Sequence, residues 1–277
     1  MTKTQKAIKY CAIVFAILLI VGIFSGVIEL CAAIFSSFVK ADTDAVGEWR
    51  AHELSDWESV RKLNITVSAA AVEIKNGEAF SLESNHKYLK AKIKNGTLLI
   101  DEDVPFLRHR SEDVNVKVIL TVPSGFSFER SEIETGAGKL TAEALCTEKL
   151  QMELGAGETV FENLIVTGEA EIDTGIGKFS VRDGSIGRLD LAIGVGHVSI
   201  TANLLQKSEI DCGIGSAELC LLGEKDDYTV VVNKGFGSIK ADGKAVSNDA
   251  KIGNGSIDLE INGGIGDIDI YFKNKEG

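Results

Sequence analysis

The sequence predicts an all-β protein, a single-chain β-solenoid (β-helix-like) that follows one transmembrane α-helix. Three observations predict it. A Gly-x-Gly pair recurs roughly every 19 residues, apolar residues alternate on both sides of each pair, and an uncharged apolar run follows the first lysines. A unit of about 19 residues cannot bury an apolar face alone, so neighbouring units must stack as coils.

The amino-terminal segment predicts a membrane anchor. Lysines precede an apolar run, 10–28, that contains no charged residue, and the apolar character continues beyond Glu29 to residue 39. As a helix, the first run spans about 28 Å, close to the thickness of a hydrocarbon core. We therefore expect a retained anchor. A secretory signal cleaved near Ala41 is the alternative.

The charges around this run predict its orientation. Lysines lie before it and acidic residues follow it, which places the amino terminus in the cytoplasm. The expected organisation is a cytoplasmic tail (1–9), a transmembrane anchor (10–39), a linker or cap (40–60) and an extracytoplasmic β-solenoid domain (61–277). Within the linker, only 45–60 is a candidate for a short helix.

The composition excludes several classes of protein. Apolar residues make up 44% of the chain, too many for a disordered protein, and two prolines beside 29 glycines exclude a collagen. The formal net charge of −12 argues against a nucleic-acid partner, because phosphates require clustered Lys and Arg. We interpret Cys146, Cys212 and Cys220 as small buried apolar residues, with a Cys212–Cys220 disulfide as the alternative.

The Gly-x-Gly pairs predict the corners of the coils. Glycine accepts positive φ and has no Cβ to collide with the next coil, so each pair is expected to be a structural turn between two half-buried strands. The middle residue of most pairs is also apolar. The predicted turn glycines are Gly136, Gly138, Gly155, Gly157, Gly175, Gly177, Gly194, Gly196, Gly213, Gly215, Gly235, Gly237, Gly253 and Gly255.

Upstream of the repeats, three segments predict less regular strands. Residues 63–74 follow the repeat pattern with Ser-Ala-Ala in place of the glycines, 91–100 alternate around Asn95-Gly96, and 114–122 end at a Pro-Ser-Gly turn. We expect these strands at the membrane-proximal end of the stack.

A family resemblance follows from these motifs. Leu120-Thr-Val-Pro-Ser-Gly125 precedes tandem units such as 133–140 and 172–179, and together they resemble the bacterial putative-adhesin family known as domain of unknown function 4097. The similarity covers about residues 60–272. It implies an extracytoplasmic β-solenoid-like domain, sometimes associated with envelope-stress systems, and no established catalytic residues.

One column of carboxylates is a candidate Ca²⁺ site. Two residues before the first glycine of four pairs stand Glu134, Glu153, Asp173 and Asp211. Stacked carboxylates supply the oxygen ligands that Ca²⁺ takes. However, Lys139 and Lys178 lie across the corner and can neutralise their neighbours, so we favour a solvated edge without bound metal.

The sequence predicts no enzyme and no cofactor. The four histidines are scattered, and no nucleophile, base and acid recur at a common spacing. We expect a non-enzymatic, membrane-anchored binding or scaffold module of the bacterial cell envelope, adhesin-like, with an envelope protein or glycan as partner. A carbohydrate-active β-solenoid enzyme and an envelope-stress regulator acting through a membrane partner are the alternatives. Self-association through exposed end coils stays open.

Overall fold

The computed structural model describes residues 46–102, 116–247 and 250–273. The predicted tail and anchor, 1–9 and 10–39, lie outside the described residues. Within the three described ranges, no helix is long and apolar enough to cross a bilayer. The prediction of an all-β fold is confirmed, since strands dominate and the only helical turns in these ranges are the 3₁₀ turns Trp57–Ser59 and Lys225–Asp227.

The strands fall into three groups along the chain. The amino-terminal group is β1 (Val46–Ala51), β2 (Lys62–Gly77), β3 (Ser81–His86), β4 (Leu89–Lys94), β5 (Thr97–Glu102) and β6 (Lys117–Pro123). The repeat group is β7 (Phe128–Ala142), β8 (Leu145–Phe161), β9 (Leu164–Val181), β10 (Gly184–Leu204) and β11 (Ser208–Leu222). The carboxy-terminal group is β12 (Tyr228–Phe236), β13 (Ile239–Ala241), β14 (Lys244–Ala245), β15 (Lys251–Ile252) and β16 (Ile257–Lys273).

Each repeat forms one coil of a parallel stack. The strands β2, β7, β8, β9, β10 and β11 pair with their neighbours in parallel, and equivalent residues such as Ile133, Met152 and Ile172 face each other in register. Between β8 and β9, Glu162 and Asn163 connect one coil to the next. Gly-x-Gly does not interrupt the strand, so it is a bend within a continuous parallel ladder.

The core lies inside the coils. Apolar side chains before and after each bend are buried and face the equivalent residues of the next coil, as Phe161 faces Val181. The ring of Phe161 also contacts Phe179 diagonally, at a ring-centroid distance of 6.2 Å. A second bend comes from a register shift between Thr147 and Lys149, which turns the chain again before it reaches the corner. The alternating apolar columns therefore fill a closed interior.

The carboxy-terminal strand departs from chain order. Strand β16 lies between β11 and β12 and pairs with both in parallel. The corner of β16 is Gly264–Gly266, which stacks on Gly213–Gly215, and the corner 235–237 stacks on β16 in turn. Sequence order alone predicts that β12 follows β11, but β16 carries the same pattern and takes that place.

Two of the predicted turn glycines lie outside the corners. Gly253 and Gly255 precede β16, where a Cβ on Gly253 would lie 2.2 Å from the carbonyl oxygen of Tyr228. Gly255 donates its N–H to the same oxygen at 2.9 Å. The last two glycine pairs are only 11 residues apart because they have different roles. The first pair packs against the 3₁₀ turn Lys225–Asp227 and the start of β12, and the second forms the coil corner.

The amino-terminal end is closed by strands and an aromatic cluster. The segment considered for a helix holds β1, which pairs antiparallel with β3. Trp57 stacks on Phe80 with ring centroids 5.3 Å apart, and Phe126 meets Phe80 edge-on at 4.9 Å. The 91–100 segment forms the β4–β5 hairpin, whose Asn95-Gly96 turn has positive φ at both residues.

Candidate functional site

The corner glycines bring backbones of neighbouring coils into close contact. A Cβ on Gly157 would lie 1.9 Å from the carbonyl oxygen of Gly138, and the first glycine of the pair, Gly155, has the same conflict at 2.2 Å with Gly136. The second glycine also adopts positive φ, 146° at Gly157. No other residue type satisfies both conditions.

This bend turns the middle residue of each corner outward. Five large apolar side chains are exposed there, with exposed fractions from 37% at Ile214 to 77% at Phe236. Their register places them in one row across adjacent strands. We name this row the corner ridge, which consists of Ile176, Val195, Ile214, Ile265 and Phe236.

The sequence held a signal for the corner ridge that was not used. Ile172 and Phe179 are both buried, yet they are seven residues apart, and an odd separation in a straight strand places side chains on opposite faces. The chain must therefore change face between them, and the exposed side chain of Ile176 shows that it does so before residue 176. The apolar middle residues were noticed, but this parity was not.

The predicted carboxylate column exists as a row of neighbours. Glu134, Glu153 and Asp173 are in register on consecutive strands. Asn262 of β16 follows Asp211 and donates a hydrogen bond from Nδ2 to Oδ1 of Asp211 at 2.9 Å. In the part of the chain that the structure describes, no group of three or more His, Cys, Asp or Glu is arranged to hold a metal ion.

A second acidic column runs beside the first, and the sequence reasoning missed it. It lies four residues before the first glycine of five of the corner pairs, on the same outer side of the strands. We name the two columns together the acidic face, whose members are Glu132, Glu134, Glu153, Glu171, Asp173, Asp190, Glu209, Asp211 and Glu260.

Few members of the acidic face are neutralised by ion pairs. In the described ranges, Glu132 pairs with Arg130, and Asp190 pairs with Arg188 at 3.4 Å; the other members have no Lys or Arg at ion-pair distance. Partial burial alone would raise the pKa of Glu132, but hydrogen bonds from Arg130 and Asn64 outweigh it and hold that pKa below its ordinary value.

The lysines across the corner have other partners than expected. Lys139 Nζ lies 3.0 Å from Oε2 of Glu158, its neighbour on the next coil, and this hydrogen bond and charge lower the pKa of Glu158. Lys178 adds to the same effect from the coil beyond. These side chains therefore form a mixed-charge column on the opposite side of the corner ridge from the acidic face.

A shallow depression of about 520 Å³ separates the corner ridge from the acidic face. Its wall includes Ile193 and the thiol of Cys212. Burial, together with the charge of Asp211, raises the pKa of Cys212 to about 11, so the thiol stays protonated and is a poor nucleophile. All three described cysteines are free and half-buried, which excludes the Cys212–Cys220 disulfide.

Two histidines make side-chain hydrogen bonds. His86 is buried, accepts the N–H of Tyr88 at Nδ1, and donates from Nε2 to Glu102 at 3.0 Å. His197 Nδ1 lies 2.7 Å from the hydroxyl of Ser216 on the next coil, in the open. A Ser–His pair needs an acid on the far side of the histidine to orient it. The residue in register with His197 on the coil opposite Ser216 is Lys178, which is a base and not an acid.

Another depression, of about 660 Å³, lies at the amino-terminal end between β1, β4 and β5. Two of its charged side chains already bind other parts of the fold. Arg50 donates to the carbonyl oxygens of His86, Lys87 and Leu89, and Glu102 is bound by His86. Neither group is free to orient a ligand without breaking these bonds, so the corner ridge and the acidic face remain the stronger candidate site.

Several solved structures resemble this fold at low identity. A "putative adhesin" from Parabacteroides distasonis is 15% identical with a TM-score of 0.43, covering 83% of this chain and 99% of its own. A "putative cell adhesion protein" from Clostridium sporogenes is 13% identical with a TM-score of 0.36, covering 82% and 99%. A "putative lipid binding protein" from Parabacteroides distasonis is 14% identical with a TM-score of 0.39, covering 79% and 96%.

No curated protein matches the sequence. One family model does, and its match spans the described coils and the amino-terminal strands β2 to β6. Since that match extends over residues 60–277, well over half of the chain, the protein belongs to the Toastrack DUF4097 family.

Proposed function

We propose that the chain is a non-enzymatic, adhesin-like binding or scaffold module, anchored in the membrane and lying outside the cytoplasm in the bacterial cell envelope. The corner ridge carries this proposal. A contiguous row of exposed apolar side chains costs solubility, and such patches on stable proteins mark interaction surfaces. The rigid parallel ladder beneath holds the row in fixed register, which suits binding.

Photo-cross-linking tests the ridge as a binding surface. A benzoylphenylalanine is placed at Ile176 or Phe236 of the full-length chain in intact cells, and at Tyr271 as an exposed control away from the corner ridge. We expect the two ridge positions to give one shared adduct that the control position lacks. Equal adducts at all three positions, or none at the ridge, would contradict the proposal.

The location rests on the lysine-flanked apolar run at 10–39. Its test is the protease accessibility of the coils in intact spheroplasts. External protease should remove the domain without lysis, since the amino terminus is proposed to be cytoplasmic. Protection of the coils until lysis would place them inside and refute this part of the proposal.

The absence of turnover is the last part of the proposal. The exposed His197–Ser216 pair is the arrangement that most resembles a catalytic dyad among the described residues, and it lacks an acid to orient the histidine. We expect His197→Ala and Ser216→Ala to leave the binding of the partner, measured as the cross-linked adduct at the corner ridge, unchanged. Loss of glycan turnover in either variant would instead support the carbohydrate-active alternative.

A further inference from the structure

We infer that the corner ridge and the acidic face together bind a basic amphipathic segment of a protein partner. This inference rests on the proposed function, because it names the chemistry of the partner that the ridge contacts. Two independent features carry it: the exposed apolar row and the unneutralised carboxylates beside it.

The two surfaces lie side by side on β9 and β11, with the shallow depression between them. Asp173 is three residues before Ile176 in β9, and Asp211 is three residues before Ile214 in β11. The depression between them is lined by Ile193 and neighbouring corner backbone. A ligand that covers the corner ridge therefore also lies beside the carboxylates.

The unpaired carboxylates of the acidic face indicate a positively charged partner. Of the acidic face, only Glu132 and Asp190 are ion-paired within the described ranges, and the whole chain carries a net charge of −12. Complementary charges steer association and suppress wrong partners. A partner with Lys and Arg along one side of an apolar strip matches both surfaces, and an anionic lipid surface is repelled.

A second copy of the chain fits less well. Two copies packed ridge to ridge with antiparallel coils bring their acidic faces to the same side, where like charges repel. Packed with parallel coils, each acidic face meets the column of Lys139, Glu158 and Lys178, in which Lys139 and Glu158 already pair with each other. Lys178 could meet one of the carboxylates in the parallel arrangement, but most of the acidic face would still lack a cationic partner.

The dimensions suit a short segment. Strands in a sheet lie about 4.8 Å apart, so the four steps from Ile176 to Phe236 span about 19 Å. A helix of about 13 residues covers this length at about 1.5 Å per residue. A probe peptide of about 18 residues therefore covers the corner ridge with a turn to spare.

The test measures peptide binding by fluorescence anisotropy. The full-length chain is held in nanodiscs of zwitterionic lipid, with empty nanodiscs as the blank. The probes are a labelled Lys/Leu amphipathic peptide of about 18 residues and a Glu/Leu peptide of the same pattern. We expect the Lys/Leu peptide to bind more tightly by at least about tenfold, and the difference to shrink as salt rises.

Matched variants separate the two surfaces. The acidic-face variant is Glu171→Gln with Asp173→Asn and Glu209→Gln, and its control neutralises three exposed carboxylates elsewhere, Glu48, Glu58 and Glu218. We expect about tenfold weaker binding for the former and less than about twofold change for the control. The ridge variant Ile176→Ser with Ile265→Ser should lose binding, and thermal melting of each variant verifies that it is folded.

The outcomes distinguish this inference from the proposed function. If the ridge variant loses binding but the acidic-face variant does not, the ridge is a binding surface and the basic partner is wrong. If neither variant changes binding, both fail. Binding of the unmodified chain to anionic vesicles in place of the Lys/Leu peptide overturns the inference in favour of lipid. Another outcome is that the chain self-associates through the ridge. If the ridge variant abolishes this self-association and the peptide does not compete with it, the inference is overturned in favour of a second copy.

Discussion

At the scale of single residues, the fold depends on two different properties of glycine. The first glycine of a corner, such as Gly155, has an ordinary φ and is needed only because a Cβ would enter the backbone of the coil before it. The second, such as Gly157, is needed for the same close approach and for its positive φ. The two requirements can be separated by substitution.

Alanine substitutions should lower the free energy of unfolding more when they violate both requirements than when they violate one. An alanine Cβ at Gly125 would have no other atom within 4 Å, but the residue has a φ of 79°. Gly125→Ala should therefore lower the free energy of unfolding by about 1 kcal/mol, from backbone strain alone. Gly155→Ala should cost about 2 kcal/mol from overpacking, and Gly157→Ala about 3 kcal/mol or more from both. Denaturant unfolding of the three variants measures the order. A smaller cost for Gly157→Ala than for Gly125→Ala would contradict the stacked corners.

The first coil shows why its corner carries no glycine. Gly138 of β7 approaches the carbonyl oxygen of Ala70 on β2, so each corner glycine faces the coil before it. Strand β2 pairs on its other side with β5 only up to Thr66 and with β6 only from Ala71, so within the described residues no strand lies against the intervening corner. A Cβ is therefore tolerated there.

Glu102 closes this open corner. Its carboxylate accepts hydrogen bonds from His86 and from Ser68 of the first corner, and the side chains of His86 and Glu102 are only 3% and 6% exposed. Burial alone would raise the pKa of Glu102, but these hydrogen bonds outweigh it and hold the pKa below its ordinary value of 4.5.

Stability should therefore fall at acid pH through Glu102. A lowered pKa in the folded state gives a stabilisation that is present above pH 4.5 and lost as pH falls through the folded-state value. Glu102→Gln should cost about 2 kcal/mol at pH 7 and flatten the loss of stability as pH falls below 4.5. Denaturant unfolding across this range is the measurement. Glu58→Gln, at an exposed site, is the control, and an unchanged pH slope in Glu102→Gln would contradict this role.

At the scale of elements, the insertion of β16 is the feature that chain order does not predict. Strands β12 and β16 both carry a Gly-x-Gly corner with buried residues four and more positions later. Either could stack on β11 by local pattern alone. In the structure β16 pairs with β11 from Leu259 to Lys273, whereas β12 ends at Phe236 and is followed by the short β13.

A single new cysteine tests this strand order. Cys220 is in register with Tyr271 of β16, while Asp242 follows β13 one strand farther away, at about 10 Å. Disulfides need Cα atoms within about 7 Å. Tyr271→Cys should therefore form a disulfide with Cys220 under mild oxidation, and Asp242→Cys should not. Non-reducing electrophoresis with peptide mapping reads the result, and a disulfide only in Asp242→Cys would show that β12 follows β11.

These elements mark the limit of prediction from the sequence. The columns at Ile133 and Phe179, the strand pattern around Asn95-Gly96 and the row at Glu134 are local patterns and were found. The place of β16 was not found, because it depends on pairing between strands far apart in the chain that share one pattern. The second acidic column was also missed, since register between coils, and not spacing within one, brings its members together.

At the scale of the whole molecule, the coils divide the described surface by chemistry. Apolar columns fill the interior, the corner ridge carries exposed apolar side chains, and the acidic face lies beside it. Because equivalent positions of successive coils are in register, a residue type that recurs at one position of the repeat forms a continuous row across the coils. Binding of a partner along the corner ridge is the central claim that follows.

Cysteine footprinting in cells tests that claim most directly. With all five native cysteines replaced by alanine, single cysteines are placed at Ile176, Ile214 and Ile265, and at Leu205 as an exposed apolar control away from the corner ridge. Maleimide should label all four positions in the purified chain and, in intact cells, only Leu205, because a partner covers the ridge. Equal labelling of the ridge cysteines in cells and in the purified chain would contradict the account.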